Sequence, residues 1–531
     1  MTMTETHLDT RASSHAADGD VVARVTGWTT TVDHRRIGGL FVGTGLLAGL
    51  GTLIVGLLVG IERIDSSAVA LLPLDATYQM ATLYRVALAF LTVAPLLLGW
   101  AIAVVPLQVG ATNIAFPRAA MLAFTTWLGG AVLVVGSYVA NGGPGGGSNW
   151  NVQLFLAGLA VTIIGLLIAA ICVVATITTM RAPGLTLERV PMFSFANLIA
   201  CSVMLLSWPV LLANLVDLYV SHRYGRVPFG DSTKIMGYID WAFTHPGVTL
   251  FALPALGFAA DVVPTFARVR QPMRSVVMVA IGLAGLLGYA ADVQHSLYPE
   301  VSHRPLMILV SLGTVLPFLL VLALCGLALK SGKPKVGAPL IFALASLLAG
   351  LLGAALSLLM PFSRLGLLDP QGVSADGLRI IPTSIYPAAQ ASAMLLAGLL
   401  AGCGALAYWG PRLWGRLLPD KSFAPLALLG LGGAALIAIP EAIAAFSDQP
   451  IDEVSFATSN TLKLLNVLAT VGYGMVVLTV LGAIALALKS FGSGATAGVN
   501  PWDGQSLEWT ADGSNDTYVR SAQPLYDRKD A

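Results

Sequence analysis

Histidine is the residue type in this chain best suited to hold a metal, and three of the seven histidines lie in or beside apolar stretches. His245 precedes Pro246 in the run FTHPGVTLFALPALGF, His295 follows another apolar run, and His303 comes shortly after it. Neutral imidazole is a natural ligand of copper and iron. His245, His295 and His303 are therefore candidate metal ligands. A structural alternative is that the His-Pro pair serves only to begin a helix, because proline fits the first helical turn.

The four cysteines lie in apolar runs and have neither CxxC spacing nor the Cys/His spacing of a zinc site, which predicts packing residues rather than disulfides: Cys172, Cys201, Cys325 and Cys403. The chain also lacks the glycine motifs that bind dinucleotides or phosphates. Its net charge of +1 gives no basic surface for nucleic acid.

The amino-acid composition indicates the kind of secondary structure that holds these residues in place. Apolar residues make up 56% of the 531 residues and charged residues only 11%, and the mean hydropathy is +0.79. A polytopic, all-α membrane protein follows. Since a membrane helix needs about 20 apolar residues, twelve stretches qualify as spans: 37–60, 82–108, 119–140, 153–177, 192–219, 243–264, 274–293, 305–329, 337–360, 383–409, 423–446 and 461–488.

The basic residues predict the orientation of the bundle. One set of alternate connections carries twelve of them: Arg118, Arg181, Arg189, Arg268, Arg270, Arg274, Lys330, Lys333, Lys335, Arg412, Arg416 and Lys421. The other set carries eight, so the positive-inside rule predicts that both termini are cytoplasmic. We expect a flexible tail at 1–30, a membrane domain at 31–490 and a cytoplasmic tail at 491–531.

Several stretches together resemble the haem-copper oxidases, specifically cytochrome c oxidase subunit I. They occur in the order of that family over nearly the whole chain: TTVDHRRIG, VVPLQVGATNIAFPR, TITTMRAPGLTLERVPMF, FTHPGVTLFALPALGF and NPWDGQSLEWT. The resemblance implies a twelve-helix bundle, and a family activity of electron transfer from cytochrome c to oxygen coupled to proton pumping.

The resemblance also implies metal ligands that this sequence does not keep. The family holds one haem by two histidines, a second haem by one and a copper by three. The haem histidine of the second span is matched by Tyr84, and the two of the tenth span by Ala389 and Ala391. In the sixth span, Gly247 replaces the proton-carrying glutamate and Thr249 replaces the tyrosine that is linked to a copper ligand.

The groups that the family uses for proton uptake and for binding haem propionates are replaced as well. Asn113 stands where the resemblance implies the entry aspartate, and leucines fill the position of the channel lysine in the eighth span. The segment FSDQP, at 446–450, has no basic residue where the family has an arginine pair. The seventh-span histidine pair is matched by Gln294 and His295. The resemblance therefore implies that His245 and His295 form a candidate copper site, with Gln294 or His303 as a further donor.

Tyr84 has two interpretations. As in catalase, a tyrosine can ligate haem iron when an arginine activates it, and Arg85 is adjacent. Adjacent helical residues point about 100° apart, however, so we expect Tyr84 to fill space and Arg85 to extend to the membrane interface. An apolar void of haem size is costly. We therefore expect helices two, six and ten to approach one another, or bulky residues, a lipid or a quinone to fill the gap.

These replacements favour a non-catalytic member of the family in a bacterial cytoplasmic membrane. Its expected partners are the lipid bilayer and other subunits of a respiratory or copper-handling complex, where it would act in structure or assembly. Copper is the one cofactor that the histidines leave open, while the replaced ligands argue against haem. Two alternatives remain: an active terminal oxidase with unorthodox ligands, and a carrier of copper or a small molecule that uses the emptied core.

Overall fold

The structure is a computed structural model, and it describes residues 27, 30–64, 73–225, 235–243, 247–297, 309, 313–358, 384–447, 449–451, 459–510 and 518–527. The predicted tail at 1–30 therefore lies almost entirely outside the described residues. The side chains of residues 290–297 are not described either.

Each of the twelve predicted spans corresponds to a helix, which confirms the all-α, twelve-helix membrane architecture. We number these helices α1 to α12: α1 His34–Ile64, α2 Leu74–Val86 continued by Ala87–Val93 and Ala94–Val109, α3 Pro117–Val139, α4 Asn149–Thr179, α5 Met192–Tyr224, α6 Thr249–Ala267, α7 Arg274–Leu297, α8 Val315–Ser331, α9 Ala338–Ser357, α10 Tyr386–Tyr408, α11 Asp420–Ala445 and α12 Asn460–Ser493. Within the described part of the chain, ten are long and apolar enough to cross a membrane, while α7 and α8 contribute shorter apolar helices.

Three helices form the centre of the bundle. In the most apolar 18-residue windows, every residue of α2 and α10 and 94% of those of α6 are buried, against 39% for α5, α11 and α12. The central helices are therefore covered by protein on all sides, whereas the outer helices keep an apolar face for lipid. The segment Ala87–Val93 of α2 is a π-helical insertion, a feature that often marks a functional region in a helix.

Small residues let neighbouring helices approach closely. The position at which Gly433 on α11 would carry a Cβ lies 2.8 Å from the backbone oxygen of Gly472 on α12, and the Cβ position of Gly472 lies the same distance from the Gly433 oxygen. A larger side chain at either position would force the helices apart. Close backbone contact of this kind replaces the hydrophobic driving force that is missing between helices in lipid.

The chain after α12 returns across one end of the bundle, which we call the C-terminal face. Arg412, just after α10, donates to the backbone oxygens of Glu508 (2.8 Å) and Thr510 (3.1 Å). Trp502 donates its indole N–H to the backbone oxygen of Tyr408 (3.0 Å). Residues 494–510 thus pack against the helices. Which side of the membrane this face occupies remains a prediction from the basic residues.

The four cysteines are all buried and free, as expected for packing residues. Cys201 and Cys403 are no more than 1% exposed on α5 and α10.

Candidate functional site

Tyr84 lies on α2 near the end of the bundle opposite the C-terminal face, which we call the opposite face. Its side chain is 7% exposed, and its ring packs edge-on against Tyr473 of α12, with the centroids 5.4 Å apart. The Tyr84 hydroxyl lies near Ser392 of α10, yet it makes no hydrogen bond of standard geometry within the described residues. The structure thus brings α2 and α10 together at the positions that the family resemblance assigns to haem ligands.

An ion pair lies beside Tyr84 in the membrane-spanning region. Arg63 Nη1, on the last turn of α1, is 3.5 Å from Glu441 Oε1 on α11, and the two side chains are 10% and 3% exposed. The Tyr473 hydroxyl donates to the same carboxylate oxygen at 2.9 Å. We call Arg63, Tyr84, Glu441 and Tyr473 the opposite-face cluster. Its charges are buried and paired, as intramembrane charges generally are.

The surroundings of Arg63 fix its position. Asn466 of α12 donates to the backbone oxygen of Arg63 at 2.8 Å, and the Arg63 guanidinium reaches the backbone oxygen of Ile451 at 3.4 Å. Sequence reasoning missed the role of Arg63 and Glu441. The available signal was a lone carboxylate in the apolar run IAIPEAIAAF, because a charge inside a span is by default a functional candidate.

Arg85 does not extend to the membrane interface as expected. It is 8% exposed, and its Nη1 lies 3.1 Å from Asp240 Oδ2, on the short helical turn Asp240–Ala242 that precedes α6. A carboxylate inside the protein provides a partner for the guanidinium, so the side chain turns toward the bundle. The predicted role of Arg85 at the interface was therefore wrong.

Aromatic side chains fill the centre of the bundle next to the π-helical insertion. Phe90 of α2 makes edge-on contacts with Trp208 of α5, with Phe243 just after the turn Asp240–Ala242, and with Phe251 of α6, at centroid distances of 5.4, 5.7 and 6.3 Å. Trp127 of α3 donates its indole N–H to the backbone oxygen of Phe90 at 3.0 Å. This oxygen belongs to the π-helical insertion. Bulky residues thus occupy the region between α2, α5 and α6.

The three central helices also touch directly. At Gly398 of α10, an added Cβ would lie 2.7 Å from the Phe251 backbone oxygen of α6 and 2.7 Å from a methyl group of Val93 on α2. A glycine is required where three helices converge this closely. The contact agrees with the expectation that helices two, six and ten close around the position of the missing ligands.

The positions matched to the lost sixth-span and tenth-span groups are closed. Gly247 and Thr249 border a cavity of about 10 Å³. Ala391 belongs to the main core, and Ala389 to a small cluster that includes Ala442 of α11. These four positions, among those that the resemblance links to haem or copper chemistry, are therefore closely packed.

The structure does not describe the side chains of the two histidines that are predicted to bind copper. His245 lies outside the described residues, and His295 lies on α7 where side chains are not described. The candidate copper site at His245 and His295, with Gln294 or His303, therefore stays a prediction.

The residues around Tyr84 do not fit a haem. The cavity that Tyr84 borders with Gly56, Ser392, Glu441 and Tyr473 measures about 20 Å³, which is room for about one water molecule. The Tyr84 ring already lies so close to Gly56 that an added Cβ would come within 2.7 Å of it. No catalytic step through haem is derived for this arrangement.

The C-terminal face holds a second buried polar group of residues, which sequence reasoning also missed. Gln108 Nε2, near the end of α2, lies 3.3 Å from Asp261 Oδ2 on α6 and 3.1 Å from Glu508 Oε1 in the returning segment. The Ser194 hydroxyl donates to Gln108 Oε1 at 2.6 Å. We call Gln108, Ser194, Asp261 and Glu508 the C-terminal-face cluster.

Asp261 and Glu508 differ in how their charge is supported. Asp261 accepts the backbone N–H groups of Met192 and Phe193 at 2.8 and 2.9 Å, so it caps the N-terminus of α5, where anions are stabilised. Glu508 is 1% exposed, and burial together with the nearby Asp261 carboxylate raises the pKa of Glu508 to about 7. The signature NPWDGQSLEWT contained this glutamate, but nothing in the sequence indicated its burial.

Asn113, which stands where the resemblance implies an aspartate, has a structural role in this chain. Its carbonyl oxygen lies 3.2 Å from His34 Nδ1 on α1, and its amide donates to the backbone oxygen of Val32 at 2.9 Å. The side chain fixes the start of α1 against the end of α2.

The fold and these sites define a twelve-helix membrane protein with a closed core. Residues 36–366 match the family model described as Cytochrome C and Quinol oxidase polypeptide I. The chain belongs to this family.

Similar proteins extend over most of the chain. Cytochrome c oxidase subunit 1 of Bacillus subtilis is 26% identical and aligns with 95% of this chain and 83% of its own length. Heme-copper oxidase subunit I+III of Aeropyrum pernix is 26% identical, over 91% of this chain and 60% of that protein. A solved heme-copper terminal oxidase dimer has a chain with a TM-score of 0.67 and 13% identity, covering 93% of this chain and 89% of that one, a likeness of fold alone.

Proposed function

We propose that this protein is a cytochrome c oxidase subunit I-like membrane protein that does not perform oxygen reduction. We propose further that it acts as a structural or assembly partner of a respiratory or copper-handling complex in a bacterial cytoplasmic membrane, with both termini in the cytoplasm. The observation that supports the loss of activity is the packing at Tyr84: the place matched to a haem ligand holds a tyrosine pair and a cavity of about 20 Å³.

Three further features support the same proposal. The centre of the bundle is filled by Phe90, Trp208 and Phe251, and α2, α6 and α10 meet at Gly398. A haem would have to displace several fully buried side chains, each of which contributes about 3–5 kcal/mol to stability when it is aromatic. The low solvent exposure of α2, α6 and α10 thus results from the packing of side chains.

The C-terminal face supports a role in assembly. The family-like segments TTMRAPGLTLERVPMF and NPWDGQSLEWT meet there, because Pro191 of the first and Gln505 and Ser506 of the second border the same small cavity. Family-like surface segments combined with a closed core are expected of a protein that keeps its partners and has lost its chemistry.

The test is the visible spectrum of the detergent-purified full-length protein, oxidised and dithionite-reduced, together with metal analysis. We expect no Soret band. A stoichiometric haem spectrum would overturn the proposal, and the Tyr84→Phe variant would then show whether the tyrosinate is the ligand, with Tyr138→Phe as a matched control at another buried tyrosine.

Metal analysis tests the alternative that the protein carries copper. Stoichiometric copper without haem, lost in His245→Ala and in His295→Ala, would support copper binding by the predicted histidines. Co-purification from native membranes with other respiratory-complex subunits, in amounts that survive mild detergent, would support the assembly role. Absence of such subunits in the same preparation would contradict it.

A further inference from the structure

The C-terminal-face cluster contains the buried carboxylate of Glu508 and the partly buried carboxylate of Asp261, and no cation among the described residues bridges the two. Gln108 is the shared donor: its amide nitrogen faces both Asp261 (3.3 Å) and Glu508 (3.1 Å), and its carbonyl oxygen is held by the Ser194 hydroxyl. One amide group cannot neutralise two negative charges. The cluster is therefore more stable when one of the two carboxyls carries a proton.

The geometry indicates which carboxyl carries it. Both oxygens of Asp261 accept helix N–H groups at the start of α5, and Arg274 of α7 lies close enough to act on Asp261 electrostatically. The charge of Glu508 is stabilised mainly by Gln108, by its own backbone N–H and by the Ser506 hydroxyl. Glu508 Oε2 is buried without a hydrogen bond of standard geometry among the described residues, although the Ser506 hydroxyl is nearby.

Among the described residues packed against Glu508, none supplies a compensating cation to its carboxylate. Tyr408 of α10 is an electrostatic neighbour, and Arg412 uses its guanidinium on the backbone oxygens of Glu508 and Thr510 rather than on the carboxylate. Ionised Glu508 would thus face Asp261 across Gln108, with two like charges in a buried site.

Glu508 also belongs to the segment that returns across the bundle. The segment 500–510 is attached through Trp502 to Tyr408 (3.0 Å), through Gln505 to the Val269 backbone oxygen (3.1 Å) and through the 2%-exposed Trp509 side chain. When the segment lifts away, Glu508 returns to water. The protonation of this one side chain is therefore linked to the docking of the segment.

We propose that Glu508 is a proton-operated latch that holds the C-terminal segment 500–510 on the bundle. Protonated Glu508 favours the docked segment, and ionised Glu508 weakens docking through its repulsion from Asp261. The inference is independent of the proposed loss of haem chemistry, because none of these residues contacts the opposite-face cluster.

The direction of the pH dependence follows from linkage. The docked glutamate has a pKa of about 7, and a solvent-exposed glutamate has one of about 4.3. Docking is therefore strongest below about pH 4.3 and weakens as the pH rises toward 7, by about tenfold for each pH unit. Above pH 7 it levels off, since both states are then ionised.

Hydrogen exchange of the full-length protein in detergent or nanodiscs tests the latch. The readout is the protection factor of amides in 500–510, among them Trp509 and Thr510, whose N–H groups bond within the segment, corrected for intrinsic exchange at each pH. We expect protection to fall about 40-fold between pH 5 and pH 7. A corrected protection factor that stays constant in the wild type would overturn the proposal without any variant.

Two variants sharpen the result. Glu508→Gln keeps the size of the side chain and its acceptor oxygen, so we expect high protection at every pH. Glu188→Gln, at an exposed glutamate near the same face, is the matched control and should keep the wild-type slope. A wild-type slope retained in Glu508→Gln would assign the pH dependence to another group and refute the latch.

Discussion

The two buried polar clusters lie at opposite ends of α2, and they accommodate charge in different ways. The opposite-face cluster pairs Arg63 with Glu441 and adds the Tyr473 hydroxyl, so opposite charges compensate each other. The C-terminal-face cluster places Asp261 and Glu508 around one neutral amide. A buried carboxylate can therefore be stabilised by a nearby cation or by protonation. Only the second arrangement responds to pH near neutrality.

The largest expected effect comes from breaking the ion pair. Arg63→Met leaves Glu441 buried without its cation, and we expect it to destabilise the protein by about 3–5 kcal/mol. The double variant Arg63→Met with Glu441→Leu removes both charges, and it should recover most of that loss. Thermal unfolding followed with a thiol-reactive dye measures both, because the four cysteines are buried until the protein unfolds.

The matched control for this prediction is Arg36→Met, whose guanidinium is largely exposed on α1. It should change the unfolding midpoint little, since exposed ion pairs contribute about 0–1 kcal/mol. A double variant that is no more stable than Arg63→Met would show that the pair acts through shape rather than charge.

A smaller effect is expected from the two tyrosines that face each other. Tyr473→Phe removes a hydrogen bond to a buried carboxylate (2.9 Å), which should cost about 1.5–3 kcal/mol. Tyr84→Phe removes a hydroxyl without a standard hydrogen bond, and it should change stability by less than about 1 kcal/mol. Equal losses in the two variants would mean that Tyr84 has a polar partner, such as a water molecule in the adjacent cavity.

An effect that depends on pH is expected at the C-terminal face. Gln108→Leu removes the shared donor, and we expect a loss of about 1–3 kcal/mol at pH 8, where Glu508 is ionised. At pH 5.5, where Glu508 holds its proton, the loss should be smaller, because one carboxyl is then neutral. The same dye-based unfolding at both pH values measures the difference. An equal loss at both would show that the proton of Glu508 does not relieve the cluster.

The family resemblance anticipated part of the candidate site. It indicated that Tyr84 faces α10, and the structure places Tyr84 beside Ser392 of that helix. It did not indicate Arg63 with Glu441, because these residues are 378 positions apart and occupy no motif. The expectation for Arg85, which came from helix geometry, did not include its partner Asp240, because Asp240 lies in a connection whose folding could not be inferred from apolar periodicity.

The sequence by itself determined the twelve spans, because a bilayer requires about 20 apolar residues per helix and leaves backbone groups no partner outside it. The replacement of the family's ligand types stays a prediction that rests on the family resemblance. Only the tertiary structure shows how the bundle is packed: the aromatic packing around Phe90, the meeting of three helices at Gly398, and the approach of Glu508 to Gln108 across 400 residues. Such contacts depend on helix rotation and close packing, and hydropathy carries no information about either.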